Sequence, residues 1–272
     1  MSKRIVSGVI GAVFALTILM FNQNCLWLIN IVTSLISALA IKEIFSVIGI
    51  SKLYIITIPT LIFVPILPLV GFSTVWQLCW YLYTLIMLSS LMLYKDLKMK
   101  DICTVYTMSV VISFSLFKIV DLRNYGQEYG SFYVLLALTI AWMSDTGAYF
   151  CGNFFGKKKL CPEISPKKTI EGFIGGIIVC LICVVLISVT FNNYIFPEKQ
   201  QINYFLVLVL GFVGSLLSSL GDLCFSTIKR RCGVKDFGNL MPGHGGILDR
   251  FDSVIFVVPY VYIFLKLMPI IF

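Results

Sequence analysis

Apolar residues in this chain arrive in runs of about twenty, and that length decides the class of fold before any motif is read. A helix rises about 1.5 Å per residue, so roughly 20 apolar residues cross the hydrocarbon core of a bilayer. Inside that core only helices and closed barrels satisfy their own backbone polar groups. The 272 residues hold nine such runs, at 5–22, 26–48, 53–72, 75–94, 102–120, 131–150, 170–192, 204–228 and 251–272. The expected fold is all-α: a polytopic integral membrane protein of about nine transmembrane helices. Charged residues make up 12% of the chain, about half the share of a soluble globular protein, and mean hydropathy is +0.96. A disordered chain, a nucleic-acid-binding domain and an ordinary soluble enzyme are excluded. No nucleic-acid partner is expected despite the net charge of +8.

The run at 5–22 follows Lys3 and Arg4 and resembles a signal peptide, but no small-residue cleavage site closes it, so it reads as a retained span. The second run is interrupted by Lys42 and Glu43. The third contains Pro59, Pro65 and Pro68, which predicts a kinked helix whose freed carbonyls are satisfied by neighbours. Orientation follows from the basic residues. The N-terminus and the links at 41–52, 95–101, 151–169 and 229–250 carry 17 of the 21 Lys and Arg. The other side holds Lys118, Arg123, Lys199 and Lys266. The basic links are therefore expected in the cytoplasm.

Nine cysteines fall mostly in or beside apolar runs without regular spacing, including the pair Cys180 and Cys183. They read as small hydrophobes in packing positions, not as a disulfide or metal framework.

The halves differ. Residues 1–130 read as apolar helices for packing and dimer contacts. Residues 131–272 hold 8 of the 13 acids, the only histidine and both long basic links, and form the expected catalytic half. Asp145 and Asp222 lie near the cytoplasmic ends of the sixth and eighth spans. A charge at membrane depth costs about 2.5–3.5 kcal/mol on insertion scales, so such acids face a partner, a metal or water.

The first long link contains S-P-K-K-T at Ser165–Thr169. Ser165 suits a helix cap and Pro166 a first helical position. Lys167, Lys168 and Thr169 would then surround a helix N-terminus fit for phosphate oxygens. Glu171 would orient a lysine or help hold a cation. In the second, Asp222, Ser226 and Lys229 share a helix face. The glycines around His244 let backbone approach a ligand and offer N–H groups to oxygens. Asp249 and Asp252 stand three apart beside Arg250. One acid there is explained by capping; two acids, an arginine and a P-G-H-G-G turn are not. With one histidine and no suitable cysteine pair, zinc is disfavoured. Carboxylates favour a hard ion such as Mg²⁺, which binds few carboxylates together with substrate phosphates. The pattern points to phosphoryl or nucleotidyl chemistry on a lipid.

The run S-x-x-K-R-x-x-x-x-K-D-x-G-x-x-x-P-G-H-G-G-x-x-D-R-x-D, Ser226 to Asp252, closely resembles the signature of the phosphatidate cytidylyltransferase (CDP-diacylglycerol synthase) family. D-T-G-A-Y from Asp145 and S-P-K-K-T-x-E-G ending at Gly172 are similar to its second landmark. Met241 is a mild departure, and the first half matches only in hydropathy. The resemblance implies transfer of CMP from CTP to phosphatidic acid with release of pyrophosphate, a requirement for Mg²⁺ with a possible role for a second cation, a homodimer, and a bacterial inner-membrane location with a cytoplasm-facing site. On it, Asp249, Asp222 and Asp252 are assigned to metal, with Asp252 supporting a second cation or orienting Arg250. Lys229, Arg230, Lys235, Lys167 and Lys168 are assigned to phosphates, and Ser226, Ser165 and Thr169 supply hydroxyls. Asp145 and Asp236 support them, while His244 shapes the turn, binds phosphate or assists pyrophosphate departure. The alternatives are another CTP-dependent lipid enzyme, such as a polyprenol kinase, and an ion-coupled transporter, whose acids would lie mid-span in repeated halves.

Overall fold

A computed structural model describes residues 27–94, 98–195, 201–240 and 245–271. Among them are eight α-helices: α1 (Trp27–Ile48), α2 (Tyr54–Val70), α3 (Thr74–Leu93), α4 (Met99–Tyr125), α5 (Gly130–Phe155), α6 (Ile170–Thr190), α7 (Tyr204–Arg231) and α8 (Leu248–Leu267). Each matches an expected run to within a few residues; the run at 5–22 lies outside the described residues. Six are long and apolar enough to cross a membrane. Of the other two, α2 has only 17 residues and α8 carries Asp249, Arg250, Asp252 and Lys266. The fold is helical and polytopic, with one addition: a short antiparallel hairpin, β1 (Lys159–Cys161) and β2 (Ser165–Thr169), between α5 and α6.

The chain divides into two compact units. One lies within Met1–Val120 and Arg231–Phe251, the other within Asp121–Arg230 and Asp252–Phe272, so the division passes through the first turn of α8.

In the first unit, α2 shows how a proline-rich span is tolerated. Pro68 cannot donate to the carbonyl of Val64, four residues earlier. Ser113 of α4 donates to that oxygen instead, at 2.9 Å. Ser34 and Asn30 of α1 donate to the carbonyls of Pro65 and Pro68 at 2.9 and 2.7 Å. The expectation that neighbours serve the carbonyls is met here. α4 outruns its expected end at 120, so Lys118 lies well inside it. Its ammonium sits 5.0–5.4 Å from the rings of Phe72, Phe114 and Phe117, and this cation–π setting accommodates the charge within the helix.

In the second unit, small residues set the approach of α5 to α6, as expected where apolar collapse does not drive helix association. A Cβ on Gly176 would lie 2.6 Å from the carbonyl oxygen of Ser144, one on Gly147 would lie 2.7 Å from Val179, and one on Gly175 would meet the side chain of Cys151. Cys180 is buried here with its thiol toward the carbonyls of Ile140 and Gly211. All eight described cysteines are free thiols.

Candidate active site

The second unit gathers most of the expected residues. The hairpin reverses the chain after α5 and brings β2 to the start of α6. Contrary to expectation, Ser165 does not cap a helix and Pro166 does not open one: both lie in β2, where backbone is extended. The cap is Thr169, whose hydroxyl accepts the N–H of Gly172 at 3.1 Å. Proline allows the extended strand, and the capping choice falls on the last hydroxyl before the apolar run. Glu171 accepts the backbone N–H groups of Lys157 and Lys158 at 3.0 and 3.2 Å, so it ties the entry of the hairpin to α6. Lys157, Lys158, Lys159 and Lys167 are exposed.

Lys168 points the other way. Its Nζ lies 2.5 Å from Oδ2 of Asp222 on α7. Ser226, one turn further along α7, donates to Oδ1 of the same carboxylate at 3.2 Å. Lys229, on that face as the spacing predicts, is buried, as is Ser226. Arg230 donates through Nε to the carbonyl of Ile164 in the hairpin turn at 3.3 Å. Asp145 on α5 is held by two serines that sequence reasoning did not single out: Ser253 of α8 donates to Oδ2 at 2.9 Å and Ser218 of α7 to Oδ1 at 3.4 Å. Asp252 is buried and accepts the N–H of Ser253 at 2.8 Å. Asp222 and Asp145 are near enough for their charges to bear on Asp252, with Lys229 as counter-charge. Three carboxylates and two ammonium groups from α5, β2, α7 and α8 thus share one neighbourhood.

The first unit holds the glycine-rich link and Asp249. Asp249 Oδ2 accepts the N–H of Phe237 at 2.8 Å and that of Gly246 at 2.9 Å. The next two amides, of Ile247 and Leu248, donate to the two carboxylate oxygens of Glu43 on α1 at 2.8 and 2.9 Å. Of the glycine amides expected to face ligand oxygens, that of Gly246 is taken by Asp249, and the two that follow it go to Glu43. The physical reason is the helix start: its first N–H groups lack intrahelical partners and attract negative charge. Glycine is required for a related reason. A Cβ on Gly238 would lie 2.6 Å from Glu43 Oε1, one on Gly246 would meet the same carboxylate, and one on Gly245 (φ +85°) would lie 2.8 Å from Asp249 Oδ2. Lys235, Asp236 and Arg250 are exposed. His244 lies outside the described residues.

Glu43 is the residue sequence reasoning missed. Its signal was present: an acid inside an apolar run, taken only as an interruption of that run.

Among the described residues no three acidic, histidine or cysteine side chains form a ready metal-binding group. A hard cation that completes its shell with phosphate and water asks only for one or two carboxylates, and Asp222 and Asp252 are of that chemistry.

Acids, lysines and hydroxyls gathered in one neighbourhood of a helical membrane protein are the chemistry of a membrane enzyme that handles phosphorylated substrates. The chain is a member of the cytidylyltransferase family, whose model matches residues 2–268. It is 32% identical over 279 residues to a phosphatidate cytidylyltransferase of Bacillus subtilis (strain 168), covering 98% of each chain. It is also 50% identical over 138 residues to that of Staphylococcus haemolyticus (strain JCSC1435) and 48% identical over 136 residues to that of Staphylococcus aureus (strain COL), each match spanning half of either chain.

Proposed function

We propose that this chain is a phosphatidate cytidylyltransferase, joining the phosphate of phosphatidic acid to the CMP moiety of CTP. The carrying observation is the neighbourhood of Asp145, Asp222 and Asp252 with Lys168 and Lys229, in a chain of this family. The nucleophile is an oxygen of the lipid phosphate, already anionic, so no hydroxyl need be activated. That oxygen forms a bond to the α-phosphorus of CTP as the bond from that phosphorus to the bridging oxygen breaks. The electron pair leaves with pyrophosphate.

The obstacle is repulsion between two polyanions, and catalysis consists of neutralising and aligning them. Lys168 and Lys229 supply positive charge, with Ser226 and Thr169 as nearby hydroxyls. Asp222 orients Lys168 through their ion pair, and Arg230 braces the hairpin that carries it. Mg²⁺, held by Asp222 and Asp252 with substrate phosphates, would stabilise charge on the α-phosphate and on the leaving pyrophosphate. Asp249 is placed first among the metal ligands by the sequence pattern and also anchors the glycine-rich link. The active face is proposed to open to the cytoplasm of a bacterial cell, and the protein to act as a homodimer.

The test uses purified protein in detergent–lipid micelles with phosphatidic acid, labelled CTP and Mg²⁺. The expected products are labelled CDP-lipid and an equal amount of pyrophosphate, both lost with EDTA. Formation of CDP and a phosphorylated lipid would instead establish a CTP-dependent lipid kinase.

A further inference from the structure

The carboxylate of Glu43 does more than interrupt an apolar helix. It stands five residues before the end of α1 and accepts two consecutive amides, Ile247 and Leu248, one on each oxygen. Asp249 accepts the amide just before them, that of Gly246. Gly238 and Gly246 approach the Glu43 carboxylate so closely that neither position admits a Cβ without displacement. Two ends of the glycine-rich link, one of them at Ile247, 204 residues away in sequence, are thus fitted around one acid of the first described helix.

We propose that Glu43 is a positioning residue for the transfer reaction: it fixes the glycine-rich link and the first turn of α8, and with them the placement of Asp249. The proposal rests on the cytidylyltransferase reading for its kinetic consequence, but not for its structural one. A carboxylate is required because it offers an acceptor to each of two adjacent N–H groups at a helix start, where negative charge is favoured. Glutamine offers one acceptor and turns a donor toward the second amide. Aspartate keeps the charge but is one methylene short.

The test compares wild type with Glu43→Gln, Glu43→Asp and Glu43→Ala, and with Lys42→Gln as a control on the exposed neighbouring position. Amide exchange followed by mass spectrometry on the peptide covering residues 245–250 should accelerate at least about tenfold in Glu43→Gln, as local opening becomes easier. The kcat for CDP-lipid formation should fall about 10- to 100-fold, the range expected for misplacement of reacting groups, while KM for CTP changes less than about threefold. Glu43→Asp should recover little, and Lys42→Gln should match wild type. Gly246→Ala should reproduce the Glu43→Gln defect, and Gly246→Ala with Glu43→Ala should be no worse than Glu43→Ala alone, because the clash has lost its second party.

Unchanged exchange at residues 245–250 in Glu43→Gln would overturn the proposal. Faster exchange with unchanged kcat would also overturn it, leaving Glu43 a brace without bearing on the reaction. A wild-type protein that made no CDP-lipid would defeat the functional reading, while the exchange comparison would still decide whether Glu43 holds the link.

Discussion

Lys168 on a short strand and Asp222 on a membrane helix form an ion pair of 2.5 Å, each side chain about a quarter exposed. Ser226 takes the other oxygen of the same carboxylate. This pair connects the hairpin to α7, and both partners carry a charge that the proposed reaction uses. Lys168→Met and Asp222→Asn should each lower kcat/KM at least tenfold, which is about 1.4 kcal/mol of transition-state stabilisation. The double variant should lose less than the product of the two, because each single change already breaks the pair. Independent effects in the double-mutant cycle would mean the two residues serve separate steps.

Asp249 has two backbone hydrogen bonds to one oxygen and heads the proposed metal ligands. Asp249→Asn keeps an acceptor oxygen for those amides but removes the negative charge of the group. Turnover should vanish at ordinary Mg²⁺ while thermal stability in detergent falls only slightly. Near-normal activity at low Mg²⁺ would remove Asp249 from the metal.

Thr169 closes the hairpin and caps α6 through Gly172. Removing a capping hydroxyl costs about 0.5–2 kcal/mol. Thr169→Val should therefore lower the unfolding midpoint measurably, and Thr169→Ser, which keeps the hydroxyl, should stay near wild type. A drop in Thr169→Ser with none in Thr169→Val would show that packing of the methyl group, not the cap, is what matters there.

The helices were legible because the apolar runs have the length of a bilayer, and the run containing Lys42 and Glu43 is helical as the others are. The face shared by Asp222, Ser226 and Lys229 followed from helical spacing alone. What the sequence did not reveal were relationships across long separations. Nothing local distinguishes Glu43 as the acceptor for residue 247, or Ser253 as the donor to Asp145. The cap at Thr169 was missed for a different reason: S-P-K-K-T offers two hydroxyls, and proline suits a strand as well as a helix start. Gly245 and Gly246, read as room for a ligand, face the carboxylates of Asp249 and Glu43.

Gly175 on α6 faces Cys151 on α5 with no space for a Cβ. Gly175→Val should force these helices apart and reduce the yield of folded protein. Adding Cys151→Gly to Gly175→Ala should restore part of the stability lost by Gly175→Ala alone, read as the unfolding midpoint in detergent. Failure of that rescue would place the strain elsewhere on the seam.

The cytoplasmic placement of the site is open to a direct chemical test on α7. This helix has 28 residues, about 42 Å at 1.5 Å per residue, more than the roughly 30 Å of a hydrocarbon core. Asn203, just before it, and Cys232, just after it, must therefore emerge on opposite faces. Cys232 is exposed and sits in the strongly basic link, which the distribution of Lys and Arg assigns to the inside. In a variant whose other cysteines are replaced, Cys232 should react with a membrane-impermeant maleimide in inside-out vesicles and not in intact cells. A cysteine at Asn203, with Cys232 also replaced, should give the reverse. If the two patterns were exchanged, the basic links would face outward, away from a cytoplasmic supply of nucleotide, and the proposed orientation would be wrong.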